Sequence, residues 1–318
     1  MPRLFSSLLL SLLIASSASA VTMDWTPVGN PGNACDTQLE GCFGAVNYSY
    51  SIGTYEVTNA QYAEFLNAKA ASDPLGLYNT NMGSGMGGVT QSGVPGSFTY
   101  SAISGRGDMP VNFVSFYDTL RFANWMNNGQ GSGDTETGSY TLLGGTATPS
   151  NGNTVTRNPG ATIVLTSENE WYKAAYYSAL GMSYFDYPAG SDTQTTCATP
   201  TATPNSANCG LLVGDLAIKG SYTGSASPYG TFDQGGNVWE WNEAIIINST
   251  SGVLGRGLRG GAFGDNPAFL AVSARNFAIP TLESETWGFR VAMIPEPSTG
   301  LLVIAGLLGL AGWRRARD

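Results

Sequence analysis

Three short segments carry explicit helix start signals, and the glycine-rich stretches between them forbid an all-helical fold. Thr58 stands three residues before Gln61, Ser115 before Asp118 and Ser167 before Glu170. In each case the hydroxyl accepts from a backbone N–H one turn on while the acidic or amide side chain reaches back to the cap, the reciprocal pattern of a capping box. The spacing predicts helices over 58–68, 115–126 and 167–177. Their apolar faces hold Tyr62, Phe65 and Leu66, then Phe116, Leu120 and Ala123, then Trp171, Ala174 and Ala175. Val57 precedes the first cap, where it can staple against Tyr62. Residues 79–107 and 127–160 are rich in Gly, Ser and Thr and lack periodicity, which predicts long loops or short irregular strands. After Cys209, Val238-Trp239-Glu240-Trp241 alternates as a strand does, and Gly288-Phe289-Arg290-Val291-Ala292 reads as a closing strand. Few helices and many short strands point to an α+β domain.

Both ends carry export features. Arg3, the apolar run Leu8 to Ile14 and Ala18-Ser19-Ala20 have the order of a secretory signal, so residues 1–20 are read as removed and Val21 as the mature start. At the other end Pro295-Glu296-Pro297-Ser298 precedes an apolar run, Leu301 to Trp313, and then Arg314, Arg315 and Arg317. The arginines should stay on the cytoplasmic side of a membrane. The run is short against the roughly 20 residues of a lasting span and is interrupted by glycines. Segment 295–318 resembles the PEP-CTERM sorting signal of Gram-negative bacteria. That resemblance implies transient membrane anchoring, an exosortase-type enzyme cutting near Pro295, Glu296 and Pro297, and delivery across the inner membrane to the cell surface or extracellular space. Between the ends, residues 21–294 are long enough for one domain with a substantial core. Val21 to Pro297 holds 10 basic and 22 acidic residues, a balance that disfavours nucleic acid as a partner and suits divalent cations.

A series of motifs runs through that domain. In order they are Tyr55-Glu56-Val57-Thr58-Asn59, Pro110-Val111-Asn112-Phe113-Val114-Ser115, and Leu165-Thr166-Ser167-Glu168-Asn169-Glu170-Trp171. Gly236-Asn237-Val238-Trp239-Glu240-Trp241, Arg259-Gly260-Gly261-Ala262-Phe263, Ala274-Arg275 and Gly288-Phe289-Arg290-Val291 follow. In this order they resemble the formylglycine-generating, or sulfatase-modifying-factor, family. The resemblance implies a loop-rich variant of the C-type-lectin-like fold around a small twisted sheet. Within it Trp171, Trp239, Trp241 and Phe289 should fill the core, and Arg259, Arg275 and Arg290 should bind internal carboxylates. Gly260 and Gly261 should permit tight backbone geometry.

The family's copper-dependent oxidases place two cysteines shortly after the Arg-Gly-Gly motif. Here those positions fall at or near Asp265 and Leu270, which cannot bind Cu(I) as thiolates do, so no copper is expected. The chain contains no histidine, which removes the iron site of the related sulfoxide synthases and every histidine-based triad. Two calcium sites of the family map here with oxygen donors. One comprises the Asp233 and Glu240 side chains with the Gly236 and Val238 carbonyls; the other comprises Asn208, the Cys209 carbonyl, Asp215 and the Ala217 carbonyl.

The four cysteines are even in number, and in an oxidising compartment sequence proximity favours Cys35 with Cys42 and Cys197 with Cys209 among three pairings. Neither pair has zinc-type spacing. Together these features predict an exported, noncatalytic binding or structural module, with extracellular polysaccharide or another envelope component as ligand. The competing reading is an oxidoreductase acting on a protein cysteine through Cys197 and Cys209.

Overall fold

The computed structural model describes residues 20–248 and 252–295. Most of the predicted signal segment and of the sorting tail lies outside them; of the sorting motif, only Pro295 is described. Among the described residues no helix is long and apolar enough to cross a membrane.

The three helices begin where the capping boxes predict. They are α1, Asn59–Lys69; α2, Phe116–Asn127; and α3, Glu168–Tyr176, and both halves of each box are formed. For α1 the Gln61 N–H donates to Thr58 Oγ1 at 3.3 Å and the Thr58 N–H to Gln61 Oε1 at 2.9 Å. Such caps are each worth about 1 kcal/mol. Helix α3 stops one residue short of expectation because Tyr177 is extended and pairs with Tyr184 in a two-stranded ladder.

Two four-stranded sheets hold the chain together. In the first, the strand order is Trp25–Val28, Tyr50–Gly53, Val291–Met293, Ile163–Leu165, with every neighbour antiparallel. In the second it is Asn276–Ala278, Leu254–Arg259, Trp239–Ile247, Trp287–Phe289, with only the last pair parallel. The chain passes from one sheet to the other at a single residue, Arg290. Strand Trp239–Ile247 shows the predicted alternation, but its first polar member is not turned to solvent. Glu240 is as buried as Trp239 and Trp241, because both faces of the sheet are covered and Arg290 neutralises it.

The core is aromatic. Tyr62 and Phe65 of α1 meet Phe122 and Trp125 of α2, Phe122 packs edge-on against Phe289 at 5.4 Å, and Trp241 lies between Phe116 and Trp287. Edge-to-face pairs of this kind add about 0.5–1.5 kcal/mol beyond area burial.

The glycine-rich stretches are irregular, as their composition requires. Residues 80–102 hold one 3-10 turn and the hairpin Val89–Ser92 with Thr99–Ala102. The 127–160 stretch is held instead by buried polar side chains of α2. Arg121 donates to Glu136 and to the Thr146 and Ala147 carbonyls, and Asn124 Nδ2 to the Thr135 and Tyr140 carbonyls. At the buried Thr135 and Tyr140 these bonds satisfy loop carbonyls that would otherwise lack partners. Disulfides join Cys35 to Cys42 and Cys197 to Cys209, the pairing that proximity favours. With separations of 7 and 12 residues, each contributes about 2–3 kcal/mol by loop entropy.

The segment around Glu283 docks on the entrance of α2, where the Phe116 N–H donates to the Pro280 carbonyl and the Phe113 N–H to the Ser284 carbonyl. Burial, and then the charge of Asp118, push the Glu283 carboxyl up to about 7, while burial pushes Asp118 up to about 6. A carboxyl raised in the folded state binds its proton more tightly there than in the unfolded chain. Its contribution to stability therefore falls as pH rises from the ordinary carboxylate range through the folded value. Urea unfolding between about pH 5 and pH 8 should show the wild type losing more stability than Glu283→Gln. Parallel pH profiles for the two proteins would refute this.

Candidate functional site

The loop after Arg259-Gly260-Gly261 is where the sequence places Asp265 and Leu270. Gly260 and Gly261 both have positive φ, 101° and 73°, and a Cβ on Gly260 would sit 2.8 Å from the Gln234 carbonyl oxygen. This turn therefore requires glycine. Asp265 Oδ2 accepts from the Trp239 indole N–H at 2.7 Å and from the Ala262 N–H at 2.9 Å. It thus fixes the turn to the central strand. Leu270 is fully buried, packed with Ala207 and the Cys197–Cys209 disulfide. The proximity of that disulfide to Leu270 is not visible in the sequence, where the two are at least 61 residues apart.

All three arginines of the motif series bind internal carboxylates, as expected. Arg259 Nε donates to Glu168 Oε1 at 2.9 Å, and Arg275 donates through Nε and Nη2 to both Glu168 oxygens at 2.7 and 2.6 Å. Arg259 also lies 4.7 Å from the Phe43 ring centre, a cation–π contact. Arg290 uses all five of its donors. Nε and Nη2 grip Glu240 at 2.6 and 2.7 Å, Nη2 also reaches the Phe232 carbonyl, and Nη1 reaches those of Gly53 and Thr54.

These pairings bear directly on the two sets of calcium donors. In the first set, Glu240 Oε2 accepts from Arg290 and from the Trp171 indole, Glu240 Oε1 accepts from Arg290, and Asp233 Oδ2 accepts from the Gly220 N–H at 2.6 Å. The Arg290 guanidinium thus already faces Glu240, the carboxylate that would carry most of a calcium ion's charge. In the second set, Arg106 clamps both oxygens of Asp215 at 2.6 and 2.8 Å. Asn208 Oδ1, in contrast, is buried with no hydrogen-bond partner, which leaves one oxygen open to a hard cation. Among the described residues no three Asp, Glu, Cys or His side chains gather as metal ligands.

Glu56, the second residue of the first motif, belongs to the Arg290 cluster. It is 2% exposed, its Oε1 accepts from Asn237 Nδ2, and its Oε2 lies 3.9 Å from Arg290 without a hydrogen bond. Burial first, and then the Asp233 charge, hold the Glu56 carboxyl well above the usual range. Three carboxylates therefore share one guanidinium. Replacing Arg290 by Met should destabilise the fold by about 3–5 kcal/mol, since it strands buried carboxylates. Adding Glu240→Gln to Arg290→Met should recover part of that loss in urea unfolding. Strict additivity of the two substitutions would show that the pair is not coupled.

A family model described as the sulfatase-modifying factor enzyme 1-like domain matches residues 44–294. Among solved structures the chain is similar to CarF, with 22% identity over 86% of this chain and 99% of that one at a TM-score of 0.57. It is also similar to variable protein 1 of Treponema denticola, with 19% identity over 88% and 98% of the two chains at a TM-score of 0.51. At these identities the likeness concerns the fold alone. In a comparison with curated proteins none matches. Because the family match spans most of the chain and the same α+β fold recurs in these neighbours, this chain belongs to the family of sulfatase-modifying factor enzyme 1-like domains.

Proposed function

We propose that the chain is an exported, noncatalytic binding or structural module built on the sulfatase-modifying-factor scaffold. The observation that carries this reading is the fate of the two positions where the family's oxidases hold thiols. Asp265 is spent on Trp239 and Ala262, Leu270 is buried, and no cysteine is free. A soft metal has no thiolate to bind and a substrate cysteine has no free thiol to meet. The signal-like start and the sorting-type tail support delivery to the cell surface or matrix, with an exosortase-type enzyme as processing partner. The long loops support binding, which commonly resides on such segments.

Material recovered from outside the cell should have the mass of a chain that starts at Val21 and ends near Pro297. Incubated with copper, oxygen and a sulfatase-motif peptide, it should leave the peptide cysteine unchanged by mass spectrometry. Appreciable conversion to an aldehyde would sink the noncatalytic reading.

A structural calcium is part of the proposal, at Asp233, Gly236, Val238 and Glu240, with Asn208, Cys209, Asp215 and Ala217 as a second set. The open Asn208 Oδ1 supports the second set. Calcium should raise the unfolding temperature by linkage, and Glu240→Gln should blunt the rise through the first set and Asn208→Ala through the second. An unchanged melting temperature with chelator, and no calcium by elemental analysis, would dispose of the site.

One observation favours a second reading, thiol–disulfide exchange with a partner protein. The Cys197–Cys209 disulfide packs beside Leu270, and Cys197 is partly exposed. A partner thiolate attacking Cys197 would expel the Cys209 thiolate and leave a mixed disulfide. By the reverse exchange, the free Cys197 thiolate of a Cys209→Ser variant would attack a disulfide of the partner and expel one partner thiolate, and trapping that mixed disulfide at Cys197 would favour this reading over simple binding.

A further inference from the structure

Two cavities open beneath the hairpin closed by Cys35–Cys42, and neither is lined by Asp265 or Leu270. The first, about 390 Å³, is walled by Cys42, Phe43, Glu168, Asn169, Glu243 and Ala244. The second, about 310 Å³, is walled by Glu40, Ile246, Ile247, Arg275 and Phe277. Three structural units contribute to both. The hairpin gives Cys42 to one and Glu40 to the other, strand Trp239–Ile247 gives Ala244 and Ile246, and the Glu168–Arg275 ion pair, 2.6 Å long, gives one partner to each. The cavities are therefore neighbours separated by one ion pair. Each has the size of a small-molecule pocket, roughly 300–1,000 Å³.

The first cavity contains hydrogen-bonding capacity that the protein does not use. Glu243 Oε1 accepts from Arg157 and from the Tyr140 hydroxyl, whereas Oε2 has no partner among the described residues on a side chain 18% exposed. Asn169 Oδ1 accepts from the Gly44 N–H at 2.9 Å, and its amide nitrogen donates to nothing among the described residues. Ser167 lines the same space, with its oxygen accepting from the Glu170 N–H and its own proton uncommitted. An open acceptor, an open donor and a hydroxyl together suit a ligand made of hydroxyl groups, which both donate and accept. In the second cavity Ile246, Ile247 and Phe277 offer an apolar wall for C–H faces.

Charge narrows the class further. The two cavities are lined by three carboxylates, Glu40, Glu168 and Glu243, against one guanidinium, Arg275. A polyanion would be repelled. A cationic ligand has little to pair with, because each carboxylate already faces a guanidinium: Glu168 faces Arg259 and Arg275, Glu243 faces Arg157, and Glu40 faces Arg275 at 3.8 Å.

We propose that the two cavities form one groove that holds a segment of uncharged polysaccharide, with one sugar unit in each cavity. This rests on the binding-module reading above and assigns that reading a place and a ligand class. The test is isothermal titration or affinity electrophoresis of the purified exported protein with dextran, galactan and mannan, with a polyuronate and with chitosan. At least one neutral polymer should bind. Ala244→Arg and Ile247→Arg, which fill one cavity each, should weaken binding by about tenfold or more, as should Asn169→Ala. Leu180→Arg, at a site 97% exposed elsewhere on the surface, should leave binding unchanged, and thermal melts should show that all four variants fold. Undiminished binding in folded groove variants, or binding confined to the polyuronate or chitosan, would overturn the groove while leaving the binding module in place. A wild-type protein that binds none of these polymers and no native matrix material would overturn both.

Discussion

The fold depends on one guanidinium. Arg290 sits at the single residue where the chain leaves one sheet for the other, and its five N–H groups reach both. Glu240 lies on the central strand of the second sheet, Gly53 at the end of a strand of the first, and Phe232 and Thr54 on the turns between. Removing the charge from water is costly, and only a complete set of partners offsets that cost. Because those partners come from three separate stretches of chain, Arg290 is satisfied only when the sheets are correctly placed against each other. The same requirement explains why Glu240 is buried on a strand whose pattern alone would have turned it outward.

What the sequence made legible was local. The capping boxes at Thr58, Ser115 and Ser167 need only a few consecutive residues, and all three formed. The disulfides join nearest neighbours along the chain, so proximity found them. That the arginines would meet carboxylates was also legible, but not which ones. Glu240 is 50 residues from Arg290 and Glu168 is 91 from Arg259, and no periodicity encodes such distances. For the same reason the orphan oxygen of Glu56, the disulfide beside Leu270 and the groove under the hairpin were invisible. Each is assembled from segments that share no pattern until the chain is folded.

Asp265 and Leu270, in the loop after Arg259-Gly260-Gly261, both have structural partners. Asp265 ties a glycine turn to Trp239, and Leu270 completes an apolar cluster around a disulfide. The scaffold's tolerance follows from where its stability resides. The aromatic core of α1 and α2 and the Arg–carboxylate pairs lie outside that loop, so its chemistry can change without unfolding the domain. Function is then free to move to another part of the surface.

The position of the last strand has a mechanical consequence. Val291–Met293 is not at the edge of its sheet but lies between Tyr50–Gly53 and Ile163–Leu165, bonded on both sides. A force applied through whatever follows residue 295 would load two ladders at once, and it could not peel the strand away one pairing at a time. The strand Trp25–Val28 is one place further along the same sheet, so traction at either end of the domain is taken up within that sheet. The hairpin and long loops elsewhere would stay unloaded.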